Sequence, residues 1–103
     1  MVAQGDIWLL ETPNAKRRPV LVVSRNEVIP VIRDVVVAPI TGTIRSIPTN
    51  IPVGVPEGIN KDSVATFDAV AVVPKAFLTV RLGALTPDRR HEICAALSAL
   101  SDC

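Results

Sequence analysis

Apolar residues along this chain fall into short runs broken by turn formers, not into long helical stripes. The runs are GDIWLLE (5–11), PVLVVS (19–24), DVVVAPI (34–40), NIPVGV (50–55), DSVATF (62–67) and VRLGAL (80–85). Aliphatic residues dominate them, with Val the most frequent, and runs of this length bounded by Gly, Pro, Asn and Asp read as β-strands. Pro39 and Pro52 lie inside two of these runs. A proline supplies no amide hydrogen to a ladder, so each is expected at an edge, an end or a corner of the sheet. The stretch PKAFLTV (74–80) suits a turn or a brief helix before the last strand.

After residue 85 the period changes. Thr86 is a capping residue type, Pro87 fits the first helical position, and Ile93, Leu97 and Leu100 recur at helical spacing with Cys94 and Ala96 between them. The pattern predicts an amphipathic C-terminal helix closing one face of the sheet. Short strands with 9 prolines in the chain make the expected fold mainly β, a small and strongly bent sheet or barrel.

Composition narrows the reading. At 103 residues the chain is expected to form one domain, 1–103, around a single core. Hydrophobic residues make up 49% and aromatic residues only 3%, so that core is aliphatic. Lys and Arg total 11 against 10 for Asp and Glu, which excludes binding to a polyanion through bulk charge. Any such site must be a local patch. No apolar run approaches the roughly 18 residues of a membrane span, and Asp6 interrupts the N-terminus where a secretory signal needs apolar residues. No membrane association is expected, and a reducing cytoplasm is the expected compartment. Cys94 and Cys103 form no CxxC pair, so Cys94 reads as a small core residue and Cys103 as a tail thiol.

Several chemistries lack support. The chain contains no GxxxxGK, GxGxxG, GxSxG or HExxH, and no metal site or cofactor is expected. The one histidine, His91, follows Arg89 and Arg90 in the predicted helix and reads as a solvated surface residue. Gly54, Gly58 and Gly83 suit turns and a strand bulge, whereas Gly5 and Gly42 flank segments where close backbone approach can matter.

One stretch stands apart. In KRRPVLVVS, Lys16, Arg17 and Arg18 stand directly against the run that looks most deeply buried. Pro19 biases Arg18 toward an extended conformation, fixing a cation at the rim of a buried strand. Downstream, Thr41, Thr43 and Arg45 alternate as T-x-T-x-R, a pattern that sets polar groups on one side of an extended chain.

GDIW near the start, RRPVLVVS, APITGTIRSIPTNIPV and a D-S-V-x-x-x-D segment occur in order over residues 4–100. Together they resemble the MazF/PemK (Kid-like) toxins of type II toxin–antitoxin systems. The resemblance implies an SH3-like β-barrel with a C-terminal helix, a homodimer, and a cognate MazE-like antitoxin. It also implies metal-independent, sequence-specific cleavage of single-stranded RNA, of the mRNA, tRNA or rRNA class. The family's catalytic arginine and threonine fall at Arg18 and Thr41. Lys16, Arg17, Arg25, Thr43, Arg45 and Asp68 are then the expected RNA-binding residues.

Each of these has an ordinary reading beside it. Thr41 can be a strand-end residue with a local backbone bond, Arg45 a solvated arginine, and Asp68 a turn aspartate. The loop TPNAKR (12–17) is shorter than in many relatives and lacks their G-S-E-x-x-G, and Ala69, Val70, Ala71 and Val72 replace a polar Q-I-R-T pattern. Both changes touch base-reading surfaces, so the family's cleavage sequences are not carried over. With Trp8, Phe67 and Phe77 the only aromatics, stacking platforms for bases are scarce. Two other functions compete: a CcdB-like toxin on the same barrel that binds a protein target such as DNA gyrase, and an SH3-like peptide adaptor. The adaptor would need the clustered aromatics this chain lacks.

Overall fold

The aliphatic runs become strands at nearly the expected positions. A computed structural model describes residues 1–102; Cys103, read above as a tail thiol, lies outside them. The strands are β1 (Asp6–Leu10), β2 (Arg18–Val22), β3 (Asp34–Thr41), β4 (Asn50–Val53), β5 (Ser63–Thr66), β6 (Ala71–Pro74) and β7 (Leu78–Ala84). One helix, α1 (His91–Leu100), ends the described chain. The PKAFLTV stretch holds the short 3-10 turn Lys75–Phe77, as expected, and the strand after it begins earlier than predicted. β6 is the strand that the runs did not reveal.

The strands form one antiparallel sheet in the order β4-β5-β3-β2-β1-β7, with β6 beside β3. β3 explains the bend. Its first half, Asp34 to Val37, pairs with β6, and its last residues, Ile40 and Thr41, pair with β5 on the same side. Pro39 stands where one partner gives way to the other, so the expected corner is present. Pro52 lies on the edge strand β4, opposite Val64.

Burial shows why the runs at β2 and β3 are continuous and do not alternate. Leu21, Val23 and Ala38 join a main core with Ile51, Ala65, Phe67, Ile93 and Ala96, beneath α1. Val20, Val22, Val35 and Val37 face the other way, into a second cluster closed by Ile29 and Leu78. Strands covered on both faces read as unbroken hydrophobic runs.

The helix departs from expectation at two positions. Ile93 and Ala96 are its buried residues. Cys94, expected in the core, is exposed, because at about 100° per residue it stands a quarter-turn away from Ile93. Leu100, expected on the apolar stripe, is 40% exposed. His91 is exposed, as expected, with Nδ1 2.8 Å from Asp88 O.

A tight junction holds the start of the helix. The 3-10 turn Val55–Glu57 ends at Gly58, whose φ of 95° belongs to the left-handed region that glycine tolerates. A Cβ on Gly58 would meet Leu82 O at 2.1 Å, and one on Gly83 would meet Glu57 O at 2.1 Å. The turn and β7 therefore touch backbone to backbone, and both glycines serve packing.

Arg89 completes the junction. Its guanidinium donates to both Glu92 oxygens at 2.8 and 2.9 Å, to Glu57 Oε2 at 3.2 Å and to Pro52 O at 2.7 Å. Glu57, itself buried, also accepts from Gly54 N at 2.6 Å. The Glu92 hydrogen bonds raise the pKa of Arg89, and the same bonds lower that of Glu92.

Candidate functional site

Strand register sets the two residues singled out first, Arg18 and Thr41, at the same end of the β2–β3 pair. β2 pairs with β3 through Val20↔Pro39, Leu21↔Ala38 and Val22↔Val37. The ladder ends at Val20↔Pro39; continued two residues past that pair, the same register would set Arg18 opposite Thr41, although Arg18 pairs with Leu10 of β1 and does not line the cavity around Thr41. The positions share parity, so both fall on the face opposite the main core. Arg18 is exposed at the first position of β2, ahead of the buried Val20, as its place before Pro19 implied.

Around Thr41 lies a cavity of about 300 Å³, lined by Thr41, Thr43, Arg45, Asn50, Thr66 and Asp68 together with Ile47. Here the T-x-T-x-R alternation holds: the polar members gather on one side of the segment that follows β3. Asn50 and Thr66 face each other across β4 and β5, while their neighbours Ile51 and Ala65 point into the core. The cavity floor is thus the outer face of the bent sheet.

Thr41 makes the local bond foreseen for it, since its Oγ1 accepts from Thr43 N at 3.2 Å. That bond uses a lone pair and leaves the hydroxyl proton free to donate. Asp68 is exposed and accepts from Thr49 Oγ1 at 2.7 Å. Arg18 and Asp68 form no hydrogen bond or ion pair with each other.

The cations separate into two groups. Arg17 meets Glu11 at 3.9 Å, Arg25 meets Glu27 at 3.8 Å, Arg33 meets Asp34 at 3.0 Å and Arg81 meets Asp6 at 3.4 Å. Arg89 is held at the helix junction, Arg90 reaches Gln4 Oε1 at 3.4 Å, and Lys75 donates to Ile29 O at 2.6 Å. Among the described residues, the Lys16, Arg18, Arg45 and Lys61 side chains have no ion-pair or hydrogen-bond partner. All of these stand around the start of β2 and the end of β3.

Of the expected RNA contacts, Thr43, Arg45 and Asp68 come together with Thr41. Lys16 and Arg17 flank Arg18. Arg25 does not join them: it follows the far end of β2, about 20 Å along an extended chain from Arg18. Sequence reasoning missed Lys61, Asn50 and Thr66. Lys61 lies over Gly42, with its Cε and Nζ 3.1 Å from where a Cβ on that glycine would stand. Gly42 thus does permit a close approach, by a side chain and not by backbone.

No aromatic side chain lines the cavity. Phe67 is fully buried, and Trp8 packs on the second cluster with Nε1 donating to Asp6 Oδ2 at 3.1 Å. Among the described residues no group of three His, Cys, Asp or Glu side chains is placed to hold a metal ion, and no helix is long and apolar enough to cross a membrane.

Comparison with known proteins agrees with the fold and its extent. "Probable endoribonuclease MazF5" of Mycobacterium tuberculosis is 38% identical over 102 residues, covering 98% of this chain and 94% of the relative. The solved structure of Mycobacterium tuberculosis toxin MazF-mt6 superposes with a TM-score of 0.85 at 32% identity, over 94% of this chain and 96% of that one. An endoribonuclease in complex with its cognate antitoxin, from a Mycobacterial species, superposes with a TM-score of 0.82 at 27% identity, over 97% and 94% of the two chains. The pattern of the PemK-like, MazF-like toxins of type II toxin–antitoxin systems matches residues 3–101, and the chain belongs to that family.

Proposed function

We propose that the protein is the toxin of a toxin–antitoxin pair, a metal-independent endoribonuclease cutting single-stranded RNA in the cytoplasm, with mRNA as its first substrate class. One observation carries this reading: the cations without a partner, Lys16, Arg18, Arg45 and Lys61, lie near the start of β2 and the end of β3, where Thr41 stands, while each of the other described arginines and lysines has a carboxylate or carbonyl partner. A cluster of unpaired cations is unfavourable unless an anion joins it, and a polynucleotide phosphate is such an anion.

RNA brings its own nucleophile. The 2′-oxygen attacks the adjacent phosphorus in line as the P–O5′ bond breaks. One proton leaves the 2′-OH and one is delivered to the 5′-oxygen, so the products are a 2′,3′-cyclic phosphate and a 5′-OH. The protein must align the groups, offset charge on the phosphorane oxygens and assist the proton transfers. Arg18 presents a fork of donors in a fixed plane and keeps its charge, which suits it to clamp the phosphate. Thr41 donates its free hydroxyl proton to a phosphorane oxygen. Lys16, Arg45 and Lys61 hold the flanking phosphates, with Arg17 at the rim. Thr43 and Asp68 line the path of the bases.

The same cluster suits an acidic, partly disordered antitoxin segment, which would silence the enzyme by taking the place of RNA. The decisive experiment is cleavage of single-stranded RNA by purified protein in EDTA, with the product ends identified. Cyclic phosphate and 5′-OH ends are expected, and Arg18→Ala and Thr41→Ala should remain folded while losing activity. A requirement for a divalent metal refutes the mechanism. An absence of cleavage favours a CcdB-like toxin acting on a protein target.

A further inference from the structure

Asn50 is tied on one side and unsatisfied on the other. Its Nδ2 donates to Arg45 O at 3.2 Å, and this fixes the amide's orientation, since the reverse would set two oxygens together. Its Oδ1 is buried without a hydrogen-bond partner, the one such side-chain atom among the described residues. A carbonyl oxygen withdrawn from water with no donor is unfavourable, and such an atom calls for a partner not yet present.

Its position says what kind of partner. Asn50 lines the cavity that holds Thr41 and also a larger one of about 680 Å³ beside it, and Arg45 and Ile47 are shared by both. The segment above, residues 42–48, is exposed throughout. Ile44 and Ile47, 54% and 41% exposed, wall the larger cavity together with Pro52. A flat ring entering from the Thr41 side would lie against aliphatic walls with its edge toward Asn50.

We propose that Asn50 reads a nucleobase next to the scissile phosphate, with Oδ1 accepting from an exocyclic amino group on the base edge. Single-stranded RNA is read through unstacked bases hydrogen-bonded along such edges. One Nδ2 hydrogen is committed to Arg45 O, and the unpartnered Oδ1 can only accept. It therefore favours a base that carries an exocyclic amino group, as adenine, cytosine and guanine do, over uracil, which has none. This assignment rests on the ribonuclease reading above.

The test is cleavage of a randomised RNA pool by the wild-type protein, Asn50→Ala and Asn50→Thr, followed by sequencing of the 5′ ends. Thr suits a strand, and its hydroxyl can still donate to Arg45 O, so it guards against loss of the fold. The wild type is expected to disfavour uracil at one position flanking the cut. Both variants should lose that preference about tenfold while still cutting RNA and keeping their preferences elsewhere. A wild-type preference for uracil there, an unchanged preference in the variants, or a loss spread evenly over all sequences overturns the role of Asn50. A wild type that cuts nothing overturns the ribonuclease reading, and this one with it.

Discussion

Two arginines show how differently one side chain can be used in this molecule. At the start of α1, Arg89 is enclosed by Glu92, Glu57 and the Pro52 carbonyl, and its side chain is 24% exposed. At the start of β2, Arg18 is exposed and has no side-chain partner among the described residues. Carboxylates convert the first into a staple joining helix, edge strand and turn. Their absence leaves the second with its donor fork free for a phosphate. What separates an arginine tied into the fold from one left free to bind is the company the fold gives it, not its chemistry.

The sharpest way to break that contrast is to keep the charge and remove the fork. Arg18→Lys should lower kcat by about 10²-fold with no change in melting temperature, because a point charge cannot hold two phosphate oxygens as guanidinium does. Single-turnover cleavage beside thermal melting measures both. Full activity in the lysine variant would reduce Arg18 to a general attractor of RNA.

The matching change at the other arginine should appear in stability. Arg89→Ala leaves the buried Glu57 without its cation and frees Glu92 and Pro52 O, at a cost of about 2–3 kcal/mol. Denaturant titration tests this; a loss within error of zero would mean that the glycine contact between turn and β7 alone holds the junction.

Acid should dissolve the same staple. The Arg89 hydrogen bonds hold the Glu92 pKa below its ordinary 4.5. The unfolded chain therefore binds the proton first as pH falls. The stabilisation is complete above pH 4.5 and is lost as pH drops from there through the lowered folded value. The stability difference between wild type and Arg89→Ala should accordingly be flat near neutrality and shrink below about pH 4.5.

How much of this was visible in the chain follows from what each feature depends on. The strands of the main sheet were legible because β2 and β3 are covered on both faces and leave continuous aliphatic runs. β6 was as legible in principle, since Ala69 to Val73 form an unbroken apolar run, but Val72 is 66% exposed and the run lies between the 3-10 turns Phe67–Ala69 and Lys75–Phe77, so only pairing with β3 makes it a strand. Cys94 was misplaced because residues between the helical repeats can face either way, and only packing decides. At the site, Arg18, Thr41 and the T-x-T-x-R alternation lie on strands or their extensions, where residue order translates into position. Lys61 and Asn50 gain their meaning from the segment folding over β4 and β5, which local sequence does not encode. The separation of Arg25 from the site follows from strand length, and Glu27 two residues on was a readable hint of its pairing.

Among the unpaired cations, single losses should be graded by salt. Lys16→Ala, Arg45→Ala and Lys61→Ala are each expected to reduce the slope of log K against log salt by about 0.7, the value for one phosphate contact on a single strand. An RNA with a 2′-deoxy residue at the cut allows binding to be measured without cleavage. Arg25→Ala, paired with Glu27 at the far end of β2, should leave the slope unchanged. An equal effect from Arg25 would mean that RNA follows overall charge and not the rim.

The smallest expected effect tests the rim most closely. Gly42 has no positive φ, so alanine brings no backbone strain there, but its Cβ would stand 3.1 Å from the Lys61 Cε and Nζ. The flexible lysine end must move aside, and the ammonium leaves its place over Gly42 while the fold stays intact. Gly42→Ala should weaken binding of the 2′-deoxy RNA about twofold, in the range of a single exposed charge contact. If the glycine acts by letting Lys61 lie across it, the double variant with Lys61→Ala should bind no worse than Lys61→Ala alone. Additive losses would instead mean that Gly42 serves the RNA path directly, by leaving room for the chain between Thr41 and Thr43.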